Sequence, residues 1–143
     1  MFIFEVLRVK GYHVETIHLA ANVELAVRKL AEHRIGALVV SANGTEPQGI
    51  LSERDIVQAL GKSGASLLQR RVEEIMTKTV VTCAPQDRVA DLMALMTERR
   101  IRHVPVIADG AVVGIVSIGD VVKFKSKRQS FEIQYLTDYI TAG

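Results

Sequence analysis

Two short strings in the chain place a serine and an aspartate three residues apart, where an apolar run gives way to a helical pattern. Residues 49–55 read Gly-Ile-Leu-Ser-Glu-Arg-Asp, and residues 114–120 read Gly-Ile-Val-Ser-Ile-Gly-Asp. At the start of a helix, this spacing puts the hydroxyl and the carboxylate on one side of the first turn. The carboxylate can accept both hydroxyl hydrogens of a ribose, while the serine hydroxyl and the free helix amides can face an anion.

The same residues also have a purely structural interpretation. Ser52 and Ser117 are good helix N-caps, because a serine oxygen can accept a hydrogen bond from a free amide of the first turn. Asp55 and Asp120 would then only complement the positive end of the helix dipole. The strings alone leave both interpretations open.

Both strings belong to a longer internal repeat. Residues 14–40 align with residues 80–106 at an offset of 66, and residues 49–55 align with residues 114–120 at an offset of 65. Two copies of one supersecondary unit indicate a pseudo-two-fold module that buries the apolar faces of both copies together. We expect residues 1–65 to hold the N-terminal segment and the first copy, and residues 66–143 to hold the second copy and a C-terminal helix.

Hydrophobic periodicity predicts the same elements in each copy. Each copy has a helix with apolar residues at i, i+3, i+4 and i+7, beginning at Val23 or Val89. Asn22 is the expected cap of the first of these helices, and Asp87 is preferred over Arg88 for the second. Two strands joined by a polar turn follow, and then another helix. The predicted order is strand, helix, strand, strand, helix, written twice, which is a mixed α/β fold.

Three further segments connect or extend the copies. Residues 61–66 are predicted to form a loop between the copies, and residues 72–76 a short helical bridge. A long helix is predicted after Asp120. An apolar stripe on this helix is the expected surface for a homodimer or an effector protein: Phe131, Leu136, Tyr139 and Ile140.

Composition excludes several classes of protein. The chain has 143 residues, 48% of them hydrophobic and 24% charged, which is ordinary for a soluble protein that folds without a metal or a disulfide. The net charge of +2 is too small to indicate nucleic-acid binding, so the basic residues 123–128 are interpreted as a solvated helix face or the rim of a dimer contact. No apolar run is long enough to cross a membrane. The lone Cys83 and the lack of a signal peptide favour the cytoplasm.

Five strings, in order, make the chain resemble the tandem cystathionine-β-synthase (CBS) domain pair, or Bateman module. They are residues 34–40, 49–55, 74–77, 101–106 and 114–120. The resemblance covers about three quarters of the chain and is closest to small stand-alone bacterial CBS-pair proteins. It implies binding of an adenine nucleotide, with AMP preferred and ATP, ADP, NAD or S-adenosylmethionine as alternatives. With both copies present, it also favours ribose binding over simple capping.

The resemblance further implies two clefts between the copies, each taking its serine and aspartate from one copy and an early strand from the other. The Asp120 cleft would be formed by Lys10, Thr16, Ile35, Gly36, Ala37, Ile115, Ser117 and Asp120. The Asp55 cleft would be formed by Ile50, Ser52, Arg54, Asp55, Met76, Thr82, Ile101, Arg102 and His103. We expect the Asp120 cleft to admit adenine readily, because its wall is small, and the Asp55 cleft to favour more phosphate.

These expectations describe a sensor without catalytic activity that signals through a homodimer or an effector protein. The chain carries no recognisable catalytic loop, phosphate-binding loop or paired catalytic carboxylates, and its histidines show no metal-ligand spacing. Two alternatives remain. One is a regulatory subunit of a metabolic enzyme, as in an IMP-dehydrogenase-like complex, and the other is a nucleic-acid-binding protein acting through residues 123–128.

Overall fold

The computed structural model describes residues 1–142 and has a mixed α/β architecture with a long C-terminal helix, which confirms the predicted fold class. Its first half contains α1 (Ile3–Lys10), β1 (Thr16–Ile17), α2 (Val23–His33), β2 (Ala37–Val40), β3 (Gly49–Ser52) and α3 (Glu53–Ser63). Two 3₁₀ helices, Gly64–Gln69 and Val72–Glu74, connect the halves. The second half contains α4 (Val89–Arg99), β4 (His103–Ala108), β5 (Ala111–Ser117) and α5 (Ile118–Ala142).

Each half is built around an antiparallel hairpin with the same register at its open end. In the first half β2 pairs with β3, and Ala37 lies opposite Ser52. In the second half β4 pairs with β5, and His103 lies opposite Ser117. Each serine therefore ends a strand and begins a helix, as the repeated strings predict.

The first strand predicted for each repeat is present in the first half but not in the second. β1 runs parallel to β2, with Ile17 opposite Val40. In the second half the equivalent contact is a single parallel bridge between Cys83 and Val106, so the strand predicted before α4 is not formed. The second half therefore has a two-stranded sheet, while the first has three strands.

Of the two predicted helix caps, one is correct and one is wrong. Asn22 caps α2 as predicted, accepting a hydrogen bond from the Leu25 amide at 2.9 Å. The N-cap of α4, however, is Arg88, whose side chain makes no capping bond. Asp87 instead accepts from the Ala84 amide at 2.8 Å and closes the turn that precedes the helix.

The predicted loop at residues 61–66 is helical. α3 continues to Ser63, and a 3₁₀ helix follows it directly. Gly64 supplies the change of direction between the two helices with a φ of 67°, a conformation that glycine adopts without a steric penalty.

The segment that precedes each repeat packs on the opposite half. The second-half core contains Val89, Val104, Val116 and Val121, and it is completed by Ile3, Val6 and Leu7 of α1. The first-half core is completed by Val72 of the connecting 3₁₀ helix. Helix α1 was not predicted from the sequence, although its three core residues follow the i, i+3, i+4 spacing of an amphipathic helix. This crossing brings Lys10, at the end of α1, to the start of α5.

Candidate functional site

The geometry of the Asp55 cleft is compatible with both interpretations of the serine–aspartate strings, helix capping and ligand binding. Ser52 caps α3: its Oγ accepts from the Asp55 amide at 3.3 Å, and Asp55 Oδ2 accepts from the Ser52 amide at 2.9 Å. The capping interpretation is therefore realised, with Oδ2 as its acceptor. The other oxygen, Oδ1, accepts a weaker hydrogen bond from the Thr77 hydroxyl at 3.3 Å. This oxygen remains the one that can accept hydrogen bonds from a ligand.

Asp55 lies in the wall of a cavity of about 320 Å³ between the two halves. This volume is at the lower end of the ~300–1,000 Å³ typical of small-molecule sites. The start of α3, the extended segment after the second 3₁₀ helix and the stretch before β4 form its walls. The lining residues are Gly36, Ile50, Ser52, Glu53, Arg54, Asp55, Thr77, Thr79, Val81, Arg100, Ile101, Arg102 and His103.

Most residues predicted for the Asp55 cleft line this cavity, but Met76 and Thr82 do not. Met76 packs against the first-half core, close behind Gly49. Three residues at alternate positions, Thr77, Thr79 and Val81, supply the wall instead. Consecutive side chains of an extended segment point to opposite sides, which explains why the even-numbered Thr82 is excluded.

Three guanidinium groups, from Arg54, Arg100 and Arg102, contribute positive charge to the cavity wall, where Glu53 and Asp55 are the acidic groups. Arg54 also donates a long hydrogen bond, 3.5 Å, to the carbonyl of Arg100. Cationic groups in excess of carboxylates favour an anionic ligand, because guanidinium binds phosphate with charge-assisted hydrogen bonds.

Gly36 lies in this cavity rather than in the Asp120 cleft alone. A Cβ atom at this position would lie 2.8 Å from Glu53 Oε1 and 2.9 Å from His103 Nε2, too close for any larger residue without a shift of its neighbours. Burial lowers the pKa of His103, and the charge of Lys10 lowers it further, against the opposing effects of Asp120 and Glu53. The neutral imidazole is therefore favoured in the wall between the two clefts.

A lysine occupies the Asp120 cleft. Asp120 Oδ2 accepts from the Ser117 amide at 2.9 Å, and Lys10 Nζ lies 2.6 Å from the same oxygen. Lys10 also donates to the carbonyl of Ile115. Burial would raise the pKa of Asp120, but the hydrogen bonds from Lys10 and Ser117 outweigh it, and the net pKa is lowered. Lys10, predicted as a phosphate contact, thus forms an ion pair with the predicted ribose ligand.

The remaining residues predicted for the Asp120 cleft contact other parts of the molecule. The Thr16 carbonyl accepts from Lys29 Nζ at 2.8 Å. Ile35 packs against the first-half core, and Ala37 is buried in β2. The cavity described above lies at Asp55, and the expectation that the Asp120 cleft admits adenine readily stays a prediction.

Sequence analysis also missed Glu53 and Arg100 of the cavity wall. Arg100 was detectable, because it is the repeat equivalent of Arg34 at an offset of 66. Both residues end a helix in the left-handed conformation, with φ of 53° for Arg34 and 54° for Arg100. Such a conformation is uncommon for arginine, and it occurs at equivalent positions of the two repeats.

No group of three or more histidine, cysteine, aspartate or glutamate side chains within residues 1–142 could hold a metal ion. No helix in the described part of the chain combines the length and apolarity needed to cross a bilayer.

Comparison with known proteins gives the family. The family model for the CBS domain matches twice, at residues 9–62 and 72–127. The chain is 40% identical over 122 residues to the mitochondrial CBS domain-containing protein CBSX3 of Arabidopsis thaliana, covering 82% of this chain and 59% of that protein. The chain thus spans little more than half of that relative's length.

Solved structures agree. A CBS-domain containing protein from Agrobacterium tumefaciens is 43% identical, with a TM-score of 0.84 over 87% of this chain and 99% of its own. The CBS domain pair of protein MJ0100, crystallised with 5′-methylthioadenosine and S-adenosyl-L-methionine, is 27% identical, with a TM-score of 0.77 over 87% of this chain and 98% of its own. With two copies of the domain and a matching fold, the chain belongs to the CBS domain family.

Proposed function

We propose that this CBS-domain pair is a non-enzymatic sensor that binds a phosphorylated adenine nucleotide, AMP foremost, in the cavity at Asp55. The single observation that carries the proposal is the cavity itself. It places a carboxylate at the start of α3 in one wall with three arginines, between the two halves of the repeat. The ligands in the MJ0100 structure, 5′-methylthioadenosine and S-adenosyl-L-methionine, support an adenosine moiety as the common element.

The sugar and the base have distinct partners in this arrangement. Asp55 Oδ1 accepts the ribose hydroxyl hydrogens in place of the long bond from Thr77. Ile50 and Ile101 offer apolar surface for the adenine ring, and both line the cavity. A charged hydrogen bond of this kind contributes about 1.5–3 kcal/mol.

The phosphate distinguishes this site from one for 5′-methylthioadenosine, which carries none. The same wall contains Arg54, Arg100 and Arg102. A guanidinium group can donate two parallel hydrogen bonds to the oxygens of one phosphate. AMP, ADP and ATP therefore fit better than a neutral nucleoside, and NAD, which also carries phosphate, stays an alternative.

Because the cavity lies between the two halves, a bound ligand contacts both and favours the arrangement it fits best. The signal then passes to a second copy of the chain or to an effector protein, and regulation of a metabolic enzyme, such as an IMP-dehydrogenase-like complex, is one form this could take. The predicted cytoplasmic location is part of the proposal.

Calorimetric titration with AMP, ATP, adenosine and 5′-methylthioadenosine tests the proposal. AMP should bind at least about tenfold more tightly than adenosine, as expected for one charged contact to phosphate. Arg102→Gln should remove that preference and leave adenosine unchanged, whereas Arg28→Gln, an exposed arginine on α2 outside the cavity, should change neither. Equal affinity for AMP and adenosine in the unaltered protein would contradict the assignment of the arginines. No binding of any adenine compound would overturn the function.

A further inference from the structure

We propose that binding of a phosphorylated ligand in the Asp55 cavity is coupled to the uptake of a proton by His103. This inference rests on the proposed function and adds pH as a second input to the same site. Among the lining residues of the cavity that the structure describes, His103 is the only histidine. The arginines of the wall stay protonated, whereas a histidine changes its charge between about pH 5 and 8.

The edge of the His103 ring faces the same small space as Gly36 and Glu53. His103 begins β4, is half-buried and follows Arg102 directly in the cavity wall. A Cβ built at Gly36 would lie 2.9 Å from His103 Nε2 and 2.8 Å from Glu53 Oε1. Both atoms therefore border the space that the missing side chain of Gly36 leaves open, and Gly36 itself lines the cavity. A ligand that enters this space reaches a ring nitrogen of His103.

Charged groups from three helices and from the adjoining residue surround the His103 ring. They are Lys10 at the end of α1, Glu53 at the start of α3, Asp120 at the start of α5, and Arg102. Burial has the largest effect and lowers the pKa of His103. The positive charges of Lys10 and Arg102 lower this pKa further, while the two carboxylates act in the opposite direction. Lys10 Nζ lies 2.6 Å from Asp120 Oδ2, so the charges of this pair largely cancel at the ring. The neutral ring is therefore favoured at pH 7, mainly because it is buried.

A phosphate group changes this balance. Arg54, Arg100 and Arg102 attract the anion to the wall that contains His103, and a negative charge close to an imidazole favours its protonated form. The protonated ring then donates a charge-assisted hydrogen bond to a phosphate oxygen. Because coupling between two bound species is reciprocal, a ligand that favours protonation of His103 binds more tightly as the pH falls. For one proton the gain in affinity is at most about tenfold per pH unit.

The charge of the ligand must stay constant for this coupling to be measured, because the phosphate of AMP itself titrates at about pH 6. The probe is therefore the methyl ester of AMP, whose phosphodiester keeps one negative charge, and adenosine is the uncharged reference. Calorimetric titrations between about pH 6 and 8, each in two phosphate-free buffers of different ionisation enthalpy, give the affinity and the number of protons taken up. The ester should take up part of a proton and bind about tenfold more tightly at the lower pH, as expected for one charged contact. Adenosine should show neither effect.

Three variants assign the proton to His103. His103→Gln should abolish both the proton uptake and the pH dependence of ester binding. His13→Gln is the matched control, because His13 lies outside the cavity lining with 80% of its side chain exposed, and both effects should persist in it. Lys10→Met removes a positive charge that opposes protonation of His103 without altering the cavity lining. It should therefore shift the rise in affinity to higher pH.

An NMR titration of the histidine ring protons gives a direct measurement on the unaltered protein. The titration midpoint of His103 should move to higher pH when the ester is bound, and an unmoved midpoint overturns the inference. Ester binding without proton uptake, or with uptake that persists in His103→Gln, also overturns it and leaves the proposed function standing. If neither the ester nor adenosine binds, both the inference and the proposed function are overturned.

Discussion

Replacing Asp55 by alanine, and comparing the result with the same change at Asp120, separates ligand binding from helix capping. The comparison is possible because Asp55 and Asp120 make the same capping contact in their own copies. In both copies the aspartate Oδ2 accepts from the serine amide at 2.9 Å. Loss of such a cap costs about 1 kcal/mol, or about 3–5 °C in Tm for a chain of this size. Asp55→Ala should in addition remove the ribose contact, about 1.5–3 kcal/mol, and so weaken AMP binding by roughly 10–150-fold.

The assay is isothermal titration calorimetry with AMP, with thermal unfolding measured on the same samples. Asp120→Ala is the matched control. It should lower Tm at least as much as Asp55→Ala, because Lys10 also loses its partner. It should leave the affinity for AMP at the Asp55 cavity unchanged. Asp55→Asn retains one capping oxygen and should lose affinity with little change in Tm. If Asp55→Ala binds AMP as tightly as the unaltered protein, or if Asp120→Ala loses as much affinity, the assignment of the Asp55 cavity is wrong.

Three other perturbations follow from the geometry. Lys10→Met should destabilise the protein at pH 7, because it removes the ion pair with Asp120. The pKa of Asp120 is lowered in the folded state, so the stabilisation by this ion pair is present above the ordinary value of 3.8 and is lost as the pH falls through the folded-state pKa. Urea unfolding should therefore show the stability difference between the variant and the unaltered protein shrinking as the pH falls below 3.8, and a constant difference would contradict the ion pair. Gly36→Ala should weaken AMP binding, since its Cβ would meet side chains at 2.8–2.9 Å, whereas Gly61→Ala, with nothing within 4 Å, should have no effect on calorimetric affinity. Cys83, whose pKa is raised to about 12 by burial and by Asp87, should react with a thiol reagent only on unfolding, and fast reaction in the folded protein would refute its burial.

The repeat in the sequence predicted the hairpins and the helix starts, because these depend on local patterns. Ser52 and Ser117 mark the point where an alternating run becomes a helical one, and both serines lie where the strand ends. The same string contains residues of the Asp55 cavity, since Arg54 and Asp55 follow Ser52 directly on the first turn of α3. Ile101, Arg102 and His103 were assigned to it only through the resemblance to the CBS domain pair.

Contacts between distant segments could not be predicted in this way. Lys10 and Asp120 were both assigned to one cleft, but their ion pair depends on α1 crossing to the second half, and nothing local in residues 1–10 indicates where that helix packs. The cavity is lined by Thr77, Thr79 and Val81 instead of the predicted Thr82 for a similar reason. It depends on which side of an extended segment faces the cavity, and therefore on how the halves dock.

The crossing of α1 has a consequence for biosynthesis. This helix is translated well before the elements it packs on: Lys10 and Ile115 are separated by 105 residues. Until β5 and α5 have been translated, Ile3, Val6 and Leu7 lack the core they bury in. The apolar face of α1 therefore cannot be buried until those elements are made, and closing so long a loop slows this step of folding.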